Sequence, residues 1–188
     1  MIFESLTLST LVVTAAEIGD KTQLLALCLA ARFRAPVPIV LGILAATVLN
    51  HLLAGLLGLS VASLLTPETL KWILVLSFLA MGLWMLVPDK IDEEDCESAP
   101  NTYGVFVTTA MLFFLAEMGD KTQLATVALA AHYHDAIFVV AGTTLGMLIA
   151  DVPAVFVGDK LSKKISMVWM RRIAAVIFLG FAVASYFA

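Results

Sequence analysis

Apolar and polar stretches alternate along the chain so as to leave six long hydrophobic runs, at residues 5–31, 37–65, 70–88, 103–131, 136–158 and 167–188. Each approaches or exceeds the roughly 20 residues with which an α-helix crosses a hydrocarbon core. The breaks between them carry turn or charge signals: Arg32 to Pro38, Thr66-Pro67-Glu68, Pro88 to Thr102, His132 to Asp135, and Asp159 to Ser166. The pattern predicts an all-α integral membrane protein with six transmembrane helices.

Two of the runs are interrupted by the same polar octapeptide. Residues 17–24 read Glu-Ile-Gly-Asp-Lys-Thr-Gln-Leu and residues 117–124 read Glu-Met-Gly-Asp-Lys-Thr-Gln-Leu, at an offset of 100 residues. The repeat extends further: Leu29-Ala30-Ala31 matches 129–131, Gly42 matches Gly142 and Gly58 matches Gly158. The chain therefore divides into a first three-span repeat (1–88), an acidic linker (89–102) and a second three-span repeat (103–188). Three is odd, so the second repeat enters the membrane from the opposite side. This predicts two inverted three-helix repeats related by an axis in the membrane plane, with both octapeptides near the midplane.

Composition agrees. Hydrophobic residues make up 61% of the 188, with mean hydropathy +1.00, more apolar surface than a soluble core of this size can hide. Basic residues are few and mostly flank the runs, which argues against a nucleic-acid partner. Arg32, Arg34, Lys90, Lys160, Lys163, Lys164, Arg171 and Arg172 all fall on one side, and only Lys71 on the other. The acidic linker is then cytoplasmic and both termini face out. No basic segment precedes the first run, so it is read as a retained span rather than a signal peptide. Cys28 and Cys96 look unpaired and have no ligand spacing.

The octapeptides carry the chemistry. Ionisable groups at membrane depth cost at least ~2.5–3.5 kcal/mol each and mark ion or proton pathways. On a continuous helix Glu17 and Asp20 share a face, as do Glu117 and Asp120. Thr22, Gln23, Thr122 and Gln123 add neutral oxygens. Such an oxygen-rich set suits hard divalent cations such as Ca²⁺, Mn²⁺ or Mg²⁺ better than Cu(I) or Zn²⁺. Gly19 and Gly119 are where a helix could open and turn backbone carbonyls toward the site. A plainer reading pairs Glu17 with Lys21 and Glu117 with Lys121, four residues apart, as inert intrahelical ion pairs; it leaves Asp20 and Asp120 unpaired. Four carboxylates against two lysines give a formal charge of −2, which one divalent cation balances. Metal and protons would compete for the same oxygens, the minimum an antiporter requires.

Other polar groups lie inside the runs. Asn50 and His51 are in the second and Asp151 in the fifth, and the offset places His51 opposite Asp151. Lys21, Lys121, His51 and Asp151 are candidates for ion pairing and proton coupling, although a lone buried histidine is as often a helix–helix contact. His132-x-His134 offers a metal-binding spacing at a loop, which more often is only a loop. Gly142-x-x-x-Gly146 points to tight helix packing. Asp89, Asp92, Glu93, Glu94, Asp95 and Glu97 form a solvated linker without the glycine and spacing of an EF-hand. No cofactor motif or nucleophile–base pair is present, so the chain is not read as an enzyme. An exporter of a small organic solute, a divalent-cation channel and a structural protein held by buried ion pairs remain open.

The doubled Glu-x-Gly-Asp-Lys-Thr in two three-span halves joined by an acidic loop resembles the Gdt-type Ca²⁺/Mn²⁺:H⁺ antiporter family. The resemblance covers essentially the whole chain. It implies Mn²⁺ or Ca²⁺ transport against protons, with Glu17, Asp20, Glu117 and Asp120 at the cation site and Lys21, Thr22, Lys121 and Thr122 beside them. A bacterial member in the inner membrane would export manganese from the cytoplasm. Its expected partners are the divalent ion and membrane lipid, with oligomerisation not readable.

Overall fold

A computed structural model describes residues 2–87, 103–157 and 167–187. The acidic linker with Cys96 and Lys90, and the 158–166 segment with Gly158, Lys160, Lys163 and Lys164, lie outside the described residues. Eight α-helices are present among those described: α1 (Ile2–Glu17), α2 (Lys21–Phe33), α3 (Pro36–Leu64), α4 (Pro67–Trp84), α5 (Val105–Glu117), α6 (Lys121–Tyr133), α7 (Ala136–Val157) and α8 (Met167–Phe187).

Four of the six predicted runs are single helices: α3, α4, α7 and α8. The runs at 5–31 and 103–131 are not continuous. Each is two half-helices, α1 with α2 and α5 with α6, interrupted inside the octapeptide. The cause is local. Gly19 and Gly119 adopt φ +88° and +76°, a left-handed conformation that removes the next residues from the α1 and α5 ladders. The amides of Asp20 and Asp120 then bond back to the carbonyls of Glu17 and Glu117 at 2.9 and 3.1 Å. Asp20 and Asp120 become the N-caps of α2 and α6, in extended backbone and without a side-chain capping bond.

The other boundaries follow from familiar signals. Thr66 caps α4 by accepting from the Thr69 amide at 3.3 Å, with Pro67 as the first helical residue. Pro36 opens α3. Asp135 accepts from the Phe138 amide at 3.1 Å at the start of α7. Arg34 and His134, matching positions in the two repeats, both end their half-helices with φ near +50°.

Helices α3 and α7 are long and apolar enough to cross a membrane. α3 turns Leu49, Leu53, Leu56 and Leu57 outward, a stripe that suits lipid rather than water. Inside, α1 packs on α7 and α3 on α5, α2 on α7 and α6 on α3, and α3 on α7. The glycines allow it. A Cβ on Gly142 would fall 2.5 Å from the Leu6 carbonyl of α1, and one on Gly42 2.8 Å from the Phe106 carbonyl of α5, so the expected close approach is present. Cys28 is disulfide-bonded, which corrects the reading of it as an unpaired thiol.

Candidate functional site

Four half-helix ends converge in the bundle: the C-termini of α1 and α5 and the N-termini of α2 and α6. Their end residues are the two octapeptides. Glu17 and Glu117 are fully buried, and Asp20, Asp120, Thr22 and Thr122 nearly so. The break in each half-helix pair folds the octapeptide on itself in the same way. Thr22 Oγ1 donates to Glu17 Oε2 at 2.5 Å, and Thr122 Oγ1 to Glu117 Oε2 at 2.9 Å. The Gly19 amide donates to Gln23 Oε1 at 3.0 Å, and the Gly119 amide to Gln123 Oε1 at 2.7 Å. Gln23 Nε2 also reaches across to the Ala150 carbonyl of α7 at 2.9 Å.

The lysines do not pair within their own motif. Lys21 Nζ lies 3.1 Å from Asp120 Oδ1, and Lys121 Nζ lies 3.8 Å from Asp20 Oδ1. The intrahelical pairing of Glu17 with Lys21 and Glu117 with Lys121 is therefore replaced by a cross-brace between motifs. The shared-face argument for Glu17 and Asp20 fails for the same reason: both rest on a continuous helix, and the helix stops at Glu17. Convergence is achieved instead by turning each aspartate out of the turn. One oxygen each from Glu17, Asp20 and Asp120 lie within 4.8 Å of one another. Glu117 is outside that trio.

Several buried atoms around the trio have no hydrogen-bond partner: Glu17 Oε1, Glu117 Oε1, Asp120 Oδ2 and both oxygens of Asp151. Asp151, on α7, is itself fully buried, and the adjacent Ala150 carbonyl accepts from Gln23 of the first motif. An unpaired buried carboxylate oxygen is costly unless a cation or proton completes it. His51 on α3 is equally buried, and neither ring nitrogen is bonded. Asn50 Nδ2 donates to the Phe114 carbonyl of α5 at 3.1 Å, a helix–helix contact of the bland kind.

Neither histidine of the loop pair belongs to a cluster of three or more candidate metal ligands among the described residues. His132 is packed edge-on between Phe78 and Phe181, each at 6.3 Å, and Tyr133 at 4.8 Å. His134 occupies the left-handed cap of α6. The buried hydroxyls of Thr47, Thr109 and Thr144, also without partners, went unnoticed in the sequence. Threonine in an apolar run gives no signal of its own.

An oxygen-rich, charged cluster at half-helix ends inside an apolar helical bundle is the anatomy of a membrane ion transporter. Comparison with known proteins agrees. Residues 5–93 and 105–188 match the family described as "Divalent cation/proton antiporter GDT1", and the chain belongs to that family. A Vibrio cholerae protein named "Putative manganese exporter" is 50% identical over 97% of this chain and 90% of its own length. A Synechocystis GDT1-like protein is 33% identical over 96% of the chain and 95% of its own. The GDT1-like protein 3 of Oryza sativa is 32% identical over 99% of the chain and 75% of its own. No solved structure matches the chain.

Proposed function

We propose that the chain exports Mn²⁺ from the cytoplasm in exchange for protons, with Ca²⁺ as a second substrate, and serves manganese homeostasis and detoxification. One observation carries the reading. The two octapeptides meet, three of their carboxylates fall within 4.8 Å, and each lysine rests on the other motif's aspartate. The name of the Vibrio cholerae relative supports manganese as the cargo.

In this reading the lysines are tethered counter-cations. With no metal bound, they neutralise Asp20 and Asp120. A divalent cation takes the aspartate oxygens together with Glu17 and displaces the ammonium groups. Glu117, the motif threonines Thr22 and Thr122, and the glutamines Gln23 and Gln123 complete or position the oxygen set. Asp151 adds a fifth carboxylate beside two lysines, a formal charge of −3 for the cluster. A divalent cation alone does not cancel that charge, so protons have a place in the balance. Asp151 and His51 line the proton route. Expelling a divalent cation against an inside-negative 100 mV costs roughly 4.6 kcal/mol, twice the per-charge value. Two entering protons offset that electrical work.

The proposed setting is a bacterial inner membrane, with six spans in two inverted repeats (1–88 and 103–188), a cytoplasmic linker (89–102) and both termini outside. The helix contacts support the inversion. Exchanging α1–α3 with α5–α7 turns the α1–α7 contact into α5–α3, and α2–α7 into α6–α3; all four are made.

The test is transport in proteoliposomes carrying a lumenal pH dye, for the wild type, Glu17→Gln and Glu117→Gln, with Mn²⁺ and then Ca²⁺ gradients. Proton movement coupled to metal in the wild type and lost in both variants is expected. Metal flux without proton movement would replace the antiporter with a channel. The absence of metal flux in folded protein would end the cation reading.

A further inference from the structure

The exchange symmetry that holds for six helices fails for the other two. Helices α4 and α8 pack on each other, with Phe78 and Phe178 at corresponding positions, both fully buried, their rings 6.4 Å apart. As a pair they are self-complementary under the repeat. Yet α4 packs on α6 and α8 on α1, while the exchanged contacts, α8 on α2 and α4 on α5, are marginal at most.

Burial reports the same imbalance at matched positions. Ala15 of α1 is 7% exposed and Leu115 of α5 64%; Ala131 of α6 is buried and Ala31 of α2 exposed. The lysines follow suit. The Lys121 side chain is 3% exposed, with its ammonium 5.8 Å from the Trp84 ring at the end of α4, whereas that of Lys21 is 27% exposed. The position matching Trp84 in the second repeat is Ala184. One apolar cluster joins α1, α4, α6 and α8, and the other, around α2, α3 and α5, contains no residue of α4 or α8.

We propose that the face of α2 and α5 left uncovered by the described residues is a second seat for the α4–α8 pair, and that alternation of the pair between the two seats opens the cation site to one side of the membrane and then the other. The repeat supplies the argument for this occupant: α2 and α5 carry the same motif framework as α6 and α1, and the pair that sits on one face has a matched face to move to. The present seat is loosely filled. A cavity of about 340 Å³ lies between α4, α6 and Val61 of α3, which suits a contact that must be left. The exposure of Lys21 also has meaning only if water reaches it, because a lysine facing lipid at that depth is costly. This inference rests on the transporter reading and on the orientation proposed with it. Half-helices α2 and α5 then occupy the cytoplasmic half, so the structure is open to the cytoplasm, and movement of the pair closes that mouth and opens the outer one.

Cross-linking in membranes tests it, in full-length protein with Cys28 and Cys96 replaced. Ser77→Cys with Ala131→Cys spans the cavity of the observed seat. Ala31→Cys with Ile177→Cys is the exchanged pair. A short thiol-reactive linker is expected to capture both within one chain, to halt transport in each case, and to give yields that Mn²⁺ shifts in opposite directions. Leu74→Cys with Ala128→Cys, and Ala174→Cys with Cys28 restored while Cys96 stays replaced so that Cys28 is a free thiol, repeat the test where a first pair folds poorly. Capture of the observed-seat pair alone, in protein that still transports, would overturn the second seat and leave the face to lipid. Capture of the exchanged pair only between chains would assign the face to a second copy. Metal flux by the cysteine-free parent is measured separately. Its loss would count against the transporter reading, while the cross-link pattern would still decide the movement.

Discussion

The cross-brace is the feature most open to direct measurement. Two unit charges at 3.1 Å and 3.8 Å, the Lys21–Asp120 and Lys121–Asp20 separations, attract by roughly 5 and 4 kcal/mol at an effective dielectric of about 20. Desolvation takes back most of this, so the pair itself adds little. Removing one partner is different, because it strands a buried charge, at about 3–5 kcal/mol. Lys21→Met strands Asp120, which is almost fully buried, and Asp120→Asn strands Lys21, which keeps some access to solvent. The first substitution should therefore cost more than the second. At ~2–4 °C per kcal/mol for a chain of this length, Lys21→Met lowers the thermal midpoint in detergent by roughly 6–20 °C. The double variant removes both charges and recovers part of the loss, giving a coupling toward the upper end of the ~0.5–3 kcal/mol seen for residues in contact. The control cycle is Glu17→Gln with Lys21→Met, which the intrahelical pairing would make the strong one. A larger coupling for Glu17 with Lys21 than for Asp120 with Lys21 would refute the cross-brace.

Three further outcomes follow from the same geometry. Gly119→Ala, at a positive φ but with open space around the new methyl, tests backbone strain alone; it should cost about 1–3 kcal/mol, whereas Gly180→Ala, in helical backbone with equal space, should raise the melting midpoint by up to ~1 kcal/mol equivalent. Gly142→Ala drives a methyl into the Leu6 carbonyl and should cost about 1–3 kcal/mol by overpacking, read as a lower midpoint with the motif intact. Mn²⁺ at a hundred times its Kd should stabilise the wild type by ~2.7 kcal/mol, and Asp20→Asn should lose that shift; an undiminished shift would remove Asp20 from the site.

The sequence was most informative where a pattern is long or repeated. The four uninterrupted runs became helices within a few residues of their predicted ends, because apolar length and flanking Pro67, Pro36 and Asp135 are local signals. The octapeptide was legible as a charged site for the same reason: it is written twice in an apolar setting. Its internal pairing was not. Spacing of four residues implies a partner only on an unbroken helix, and a single glycine at each motif decides whether the helix is unbroken. Gly19 and Gly119 could be named as weak points, but the φ they adopt depends on what Asp20 and Asp120 meet on the other side. That meeting joins residues 100 apart, and no local rule encodes it. The placement of α4 and α8 was hidden more deeply, since a pattern that treats both repeats alike contains nothing to favour one seat over the other.

The two motifs, identical in seven of eight positions, nevertheless build an unequal site. Glu17 joins the aspartates in the trio and Glu117 does not. Asp151 stands where the first repeat has His51, so the oxygen-bearing neighbour comes from one side only. A movement that exchanged the two halves perfectly would carry a different ligand set to each side of the membrane. Unequal ligands let the cation affinity differ between the two facing states, while the direction of any net exchange is set by the ion gradients across the membrane.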